Sequence, residues 1–401
     1  MKYDVIRSYW PAPIYSDGST LDLDFTTGVL DSRLTFTRAA GTATYINSSG
    51  YVTSATANTP RFDYSPTNIG EPRGLLVEGQ AINLCTYSQA IAGAGWNTTT
   101  GYTVTTNTTD LLSPYGDNTA TKLVYTSGYA RCIQTVNLAA NTTYTMSYWI
   151  KSVMAHTFRV YDLTAGADIA SSIGSIPVTS SWTRVQKTFT TGASTSSCWF
   201  YVATDGGPTA GMTAYVWGAQ VELGSGASSY IPTGASQVTR NADDCYISGS
   251  NFTSWFDSTQ GTLLVTARSG GIYYDTSAYD FAAVLTQSGT GTDHIGCAQW
   301  SSGLFGVVRA NNTYNLNYTS LGSLTAPYKA AIAYAASDFA AVANNGTVTT
   351  GTGSLPLSIN RLRIGGSRSG SAPAGFSGQI ASIKYYPTRL PNAQLQALTA
   401  P

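Results

Sequence analysis

Charge is the first thing this chain of 401 residues has little of. Only 10% of its residues are charged, and 21 Lys+Arg balance 21 Asp+Glu. A protein that holds nucleic acid needs a basic surplus or stripe to neutralise phosphates, so a dedicated nucleic-acid binder is excluded. A disordered chain is equally excluded, because such chains are charge-rich and poor in aromatics. The five cysteines, Cys85, Cys132, Cys198, Cys245 and Cys297, lack CxxC spacing and are odd in number. Neither a zinc site nor a disulfide framework follows, and buried free thiols in a protein made in a reducing cytosol are expected. No apolar run reaches membrane-spanning length and no apolar segment follows Met1, so no membrane partner is expected.

What is present is Thr, Ser, Gly, Asn and Tyr, a mixture that favours strands and tight turns. The chain is therefore read as all-β, with room for two or three domains. Residues 1–84 contain short alternating pieces such as Leu21–Phe25, a hairpin about Asn47–Gly50, and too few bulky side chains for a core of their own. They are expected to form an extended N-terminal arm that packs on its own trimer or on a neighbouring protein. Residues 85–233 carry roughly eight turn-separated strands without a helix, the pattern of an antiparallel jelly-roll sandwich. The last of these strands is Ala214–Leu223, followed by a small-residue break and by Ile231-Pro232-Thr233-Gly234, which cannot sit inside a ladder. Residues 234–401 form a second sandwich, with an Asn344-Asn345-Gly346 hairpin turn and one helix after Pro391.

Three stretches carry resemblances. Trp217-Gly218-Ala219-Gln220-Val221-Glu222, then Ser229-Tyr230-Ile231-Pro232-Thr233 and Val238-Thr239-Arg240, resemble the end of the phage head spike fibre domain. The ordered pieces around Phe36-Thr37-Arg38, Thr44-Tyr45-Ile46, Pro60-Arg61-Phe62-Asp63-Tyr64 and Gly74–Glu78 resemble the leader of virion proteins carrying that domain. Leu362-Arg363-Ile364-Gly365-Gly366 and Phe376 to Thr399 are similar to the end of concanavalin A-like (laminin-G-like) sandwiches of phage structural proteins. The strand order of residues 85–233 is also similar to that of jelly-roll carbohydrate-binding modules. These resemblances imply a tailed-bacteriophage virion protein: a capsid-surface head spike, fibre or decoration protein. It would be a homotrimer on the virion surface, assembled in the host cytoplasm, with the major capsid protein and host surface glycans as partners.

The concanavalin A-like resemblance makes hydrolysis the first chemistry to test. Retaining glycosidases need two carboxyls about 5–5.5 Å apart. The chain has three glutamates, Glu71, Glu78 and Glu222, none in the second sandwich, and no Asp-x-Asp strand occurs there. His156 is expected as an exposed strand-end residue and His294 as a loop contact; no serine sits in a Gly-x-Ser-x-Gly elbow. The expectation is no enzyme and no catalytic residues; a polysaccharide depolymerase using loop aspartates, and a tail-associated glycan-binding adhesin, are the alternatives. Sugar binding calls for aromatic faces, and the loop-proximal Trp96, Trp255, Trp300, Tyr273 and Tyr274 are the candidates. Trp149, Trp182, Trp199 and Trp217, on strands, are expected to fill cores. No cofactor is expected; a structural calcium at Asp243-Asp244 or Asp205 is the one metal to consider.

Overall fold

The computed structural model describes residues 15–96, 98–205, 209–270, 280–289, 292–300, 303–323, 327–367 and 375–401. Its strands form two antiparallel sandwiches. In the first, one sheet has the order Thr179–Thr190, Thr143–Ser152, Thr213–Leu223, Thr121–Tyr125, Tyr102–Thr105. The facing sheet runs Ala167–Asp168, His156–Asp162, Ser197–Asp205, Arg131–Asn137, Thr98–Thr100, and Gly174–Ile176 also pairs with His156–Asp162. Period-2 alternation puts Tyr144, Met146, Tyr148 and Ile150 of one strand against Cys132, Phe158, Val160 and Phe200 of the other sheet. All five cysteines are buried thiols outside any disulfide, and three of them line this core.

The second sandwich pairs an eight-stranded sheet, in which Gly261–Ser269 and Gly378–Tyr386 are central, with a seven-stranded one built around Arg361–Ser367 and Asp280–Thr286. Its composition corrects the expectation of an arm. Leu21–Asp24 pairs with Gly378–Tyr386. Pro72–Val77 also pairs with that strand and in turn holds Arg61–Tyr64. Thr35–Thr37 pairs with Asp244–Ser248 in the opposite sheet. Leu21, Leu23, Phe25, Phe36, Leu75 and Val77 all enter the same core as Leu263, Ile332 and Ile383. The N-terminal pieces do lack a core of their own, but the C-terminal half of the same chain supplies it.

The first sandwich is therefore an insertion. The chain leaves the second sandwich at Ala81–Asn83 and re-enters at Val238–Arg240, and these two segments form an antiparallel stem. Above the stem, the strap that follows Leu223 folds back over the outer face of the Thr213–Leu223 sheet. Tyr230 lies 4.6 Å from Trp217 and 5.6 Å from Trp149, centroid to centroid. The Ala43–Ile46 and Val52–Ala55 hairpin closes on the same cluster through Val52 and through a Thr44 hydroxyl that donates to the Tyr230 carbonyl at 2.6 Å. Gly218 permits this packing: its φ is +67°, and a β-carbon there would lie 2.8 Å from the Trp149 ring.

A buried ion cluster sits at the same junction. Arg61 donates to Glu78 at 2.6 Å and to Asp243 at 2.6 Å, while Arg38 meets the other Asp243 oxygen at 3.0 Å. Arg240 lies 3.5 Å from Glu78, and Ser229 of the strap donates to both Glu78 oxygens at 2.7 and 2.6 Å. Burial alone pushes the Glu78 carboxyl up, but Arg240, Arg61 and the Ser229 bonds outweigh it and hold it at about 2. A carboxyl depressed in this way contributes stability that is complete above its ordinary value of 4.5 and is lost as pH falls toward 2. Asp63 and Glu222, raised by burial, act with the opposite sign.

Glu78→Gln should lower stability by about 3–5 kcal/mol at neutral pH, because it leaves buried arginines short of a carboxylate. Urea melts of the two proteins between pH 7 and pH 2.5 check this. The gap should be widest at neutral pH and narrow in acid; a gap independent of pH would contradict the assignment.

Candidate functional site

Each sandwich sheet has one face in a core and one turned outward, so the outward faces are where a ligand can meet a rigid scaffold. In the first sandwich, the strap and hairpin occupy the outer face of one sheet. The opposite sheet is open. In its Ser197–Asp205 strand, Cys198, Phe200 and Val202 point to the core, so alternation turns Trp199 and Tyr201 outward. In His156–Asp162, Phe158 and Val160 are internal, which turns Arg159 and Tyr161 outward. Arg131 comes from the neighbouring strand and Tyr129 from the turn that precedes it.

These side chains form a continuous aromatic and guanidinium surface. Tyr161 and Trp199 face each other across the ladder, stacked at 5.5 Å with 26° between planes. The Arg159 guanidinium lies 4.9 Å from the Tyr201 ring, 5.6 Å from Tyr129 and 5.8 Å from Tyr161. Arg131 lies 5.8 Å from both Tyr129 and Trp199. Cations over ring faces are held by the quadrupole, which stiffens both partners. Asp168 accepts from Arg159 Nε at 2.5 Å, and Arg159 also donates to the Tyr129 hydroxyl. Burial pushes the Tyr201 phenol up, and the two arginines partly offset it. Tyr129 is 44% exposed and Tyr161 and Trp199 are half-buried, so ring surface remains available there, whereas Tyr201 is buried beneath the arginines and Tyr129. Exposed Thr135, paired with Trp199, and exposed Asn137 add hydrogen-bonding groups alongside.

The loop aromatics singled out from sequence do not converge. Trp255 is only 3% exposed and packs edge-on against Phe252 and Tyr385 at 4.9 and 5.0 Å, inside the second core. The short Ser250–Thr253 helix turns it inward, so it is no ligand contact. Trp96 folds back onto Phe200 at the edge of the first core and donates to the Tyr87 carbonyl. Trp300 ends the His294–Trp300 strand and is 39% exposed. Tyr273 and Tyr274 lie outside the described residues. Trp149 and Trp217 are buried as expected, whereas Trp199 is not a core residue. The signal for it was in the sequence: Cys198-Trp199-Phe200-Tyr201-Val202 and Phe158-Arg159-Val160-Tyr161 each place large side chains on both faces.

Other chemistry is poorly served. His156, expected at an exposed strand end, is buried and bonded to the equally buried Ser152 hydroxyl at 2.8 Å, where a substrate does not reach. His294 is likewise a buried strand residue against Phe281 and Tyr314. Asp243 cannot serve calcium, because Arg38 and Arg61 hold both of its oxygens; Asp244 faces Arg363 at 3.3 Å. The Asp205 side chain lies outside the described set. Among the described residues no group of three or more His, Cys, Asp or Glu side chains could hold a metal ion.

Residues 92–211 match the model of a carbohydrate binding domain family. No curated protein matches the sequence. Similar solved structures include the Ruminococcus gnavus IT-sialidase CBM40 bound to α2,3-sialyllactose, at 15% identity and a TM-score of 0.31, covering 36% of this chain and 83% of that one. The Trypanosoma rangeli sialidase in complex with the inhibitor DANA is similar at 15% identity and a TM-score of 0.30, covering 39% of this chain and 25% of that one. Likenesses this slight carry no argument about activity. The open face, Tyr129 to Tyr201, lies wholly within the matched stretch.

The two tryptophans of the second sandwich should separate in stability. Trp255→Ala is expected to cost about 3–5 kcal/mol by opening a cavity, while Trp300→Ala should stay within about 0.5 kcal/mol. Denaturant midpoints at equal slope measure both.

Proposed function

We propose that this protein is a bacteriophage virion structural protein, a head spike, fibre or decoration protein on the capsid surface, that holds host-surface glycan on its aromatic and arginine face. The observation that carries the glycan part is the surface of Tyr129, Arg131, Arg159, Tyr161 and Trp199, laid over the buried Tyr201 ring. It is open, built on rigid strands, and located in the stretch that matches a carbohydrate-binding family. Half-exposed rings offer apolar faces to the C–H side of pyranose rings, and the guanidinium groups, Thr135 and Asn137 offer donors and acceptors to hydroxyls.

The virion part is supported by the ordered resemblance of the leader, the Trp217 to Arg240 stretch and the C-terminal sandwich to phage spike fibre proteins. In this reading the protein is a homotrimer attached to the major capsid protein, assembles in the host cytoplasm, and has no enzymatic role. The low charge, the buried thiols and the clasped sandwiches suit a permanent appendage that works by shape.

On arrays of bacterial surface polysaccharides the full-length protein should bind a defined subset. Trp199→Ala should weaken that binding at least tenfold, about 1.4 kcal/mol, with the melting temperature nearly unchanged. Trp300→Ala should leave binding intact; loss with Trp300→Ala and not with Trp199→Ala would move the site to the second sandwich. Immunogold labelling of intact particles should place the protein on the capsid, and incubation with a bound polysaccharide should release no reducing ends.

A further inference from the structure

The charges of the open face narrow the ligand. Only 10% of the chain is charged, yet two guanidinium groups share this one surface. Asp168 compensates Arg159. Arg131 meets no carboxylate within ion-pair distance among the described residues, and its Nε is buried without a hydrogen-bond partner. Its contacts are the faces of Tyr129 and Trp199. The face therefore carries a net positive charge. Stacking against ring faces holds a guanidinium plane while its N–H edge stays able to meet a planar oxyanion. Neutral sugar hydroxyls do not need a permanent cation, and an amide or hydroxyl side chain serves them without the desolvation cost of an ion. A carboxylate can take two parallel N–H bonds from an arginine, the strongest neutral-pH contact such a face can make.

We infer that the glycan held on this face is acidic, a polysaccharide whose sugar units carry carboxylates, with Arg131 as the residue that recognises the charge and Trp199 and Tyr161 as the stacking platform. The inference rests on the glycan-binding reading above and adds the ligand's class to it. Arg159, already paired with Asp168, supports Tyr201 and Tyr129 and is a positioning residue.

The test uses the full chain and three matched pairs of probes: polygalacturonate, hyaluronate and alginate, each in its acid form and with its carboxyls reduced to alcohols. Binding measured by biolayer interferometry should favour at least one acid form over its reduced partner by tenfold or more. Raising ionic strength from about 0.01 M to about 0.15 M shortens the screening length from about 30 Å to about 8 Å and should shrink that preference. Arg131→Gln should erase the preference, bringing acid and reduced forms to equal binding, and Arg131→Lys should restore part of it. A variant with an unchanged melting temperature shows that folding is not the cause. Equal binding of acid and reduced forms, sensitive to Trp199→Ala, would overturn the acidic-ligand inference and leave the glycan face standing. Binding of none of the six probes by the folded protein would overturn the inference together with the reading beneath it.

Discussion

Three arginines and two carboxylates buried at one junction are the constraint on which the rest of the molecule depends. Arg38 and Arg61 come from the N-terminal pieces, Glu78 from the end of the Pro72–Val77 strand, Arg240 and Asp243 from the returning stem, and Ser229 from the strap. Desolvating this many charges costs several kcal/mol per ion, and an apolar cluster of the same volume could be as stable. What the ions add is register. Each guanidinium has a fixed fork of donors, so the cluster forms only when all the segments arrive together. The stem pairing of Val238–Arg240 with Ala81–Asn83, the roof of the first sandwich and the edge of the second are set by one event.

This placement decides which surface is available. The cluster and the Trp149, Trp217 and Tyr230 packing beside it commit the outer face of one jelly-roll sheet to the junction. A second buried group repeats the device further along the strap: Glu222 accepts from Gln220, from the Ser228 amide and from its hydroxyl, while Arg184 spans the Trp149 ring and the Ser228 carbonyl. With that sheet closed, the opposite face is left to solvent. The rings there are stiff because their strands are central in a sheet whose other side is core, and a rigid platform loses little entropy when it binds.

The local structure was legible in the sequence and the long-range structure was not. Alternation located most strands but not His294–Trp300 or Thr313–Ser323, Asn47–Gly50 and Asn344–Gly346 turn as their residues demand, and Pro391 opens the helix Asn392–Leu398. The shortage of bulky residues before position 80 was read as an arm seeking a partner. The partner is the same chain, more than 300 residues on, and nothing in a local pattern reveals a pairing such as Leu23 with Ile383. For the site, proximity to loops was a poor guide. Trp255 lies beside a turn yet faces inward, where its ring packs against Phe252, Phe256 and Tyr385. Trp199 lies mid-strand yet faces outward, because Cys198 and Phe200 take the core positions. Period-2 parity, applied residue by residue, separates the two faces where loop and strand labels do not.

The stretch from Trp217 to Arg240 shows why conspicuous residues are not always chemical ones. Most of its buried polar groups are satisfied within the fold; the exception is Arg240, whose guanidinium lies 3.5 Å from Glu78 without a hydrogen bond. Gln220 accepts from the Ile231 amide, Thr233 donates to the Cys85 carbonyl, and the Tyr230 hydroxyl meets Ser88 at 2.6 Å. Glu222 and Arg240 end in the two buried ion groups. A site that binds an external ligand differs in one respect: it leaves polar groups and ring faces incompletely satisfied by the protein itself. By that criterion the WGAQVE strand and its strap are a clasp, while Trp199 and Arg131 stay half-covered at the surface, which is why the glycan proposal is built on them.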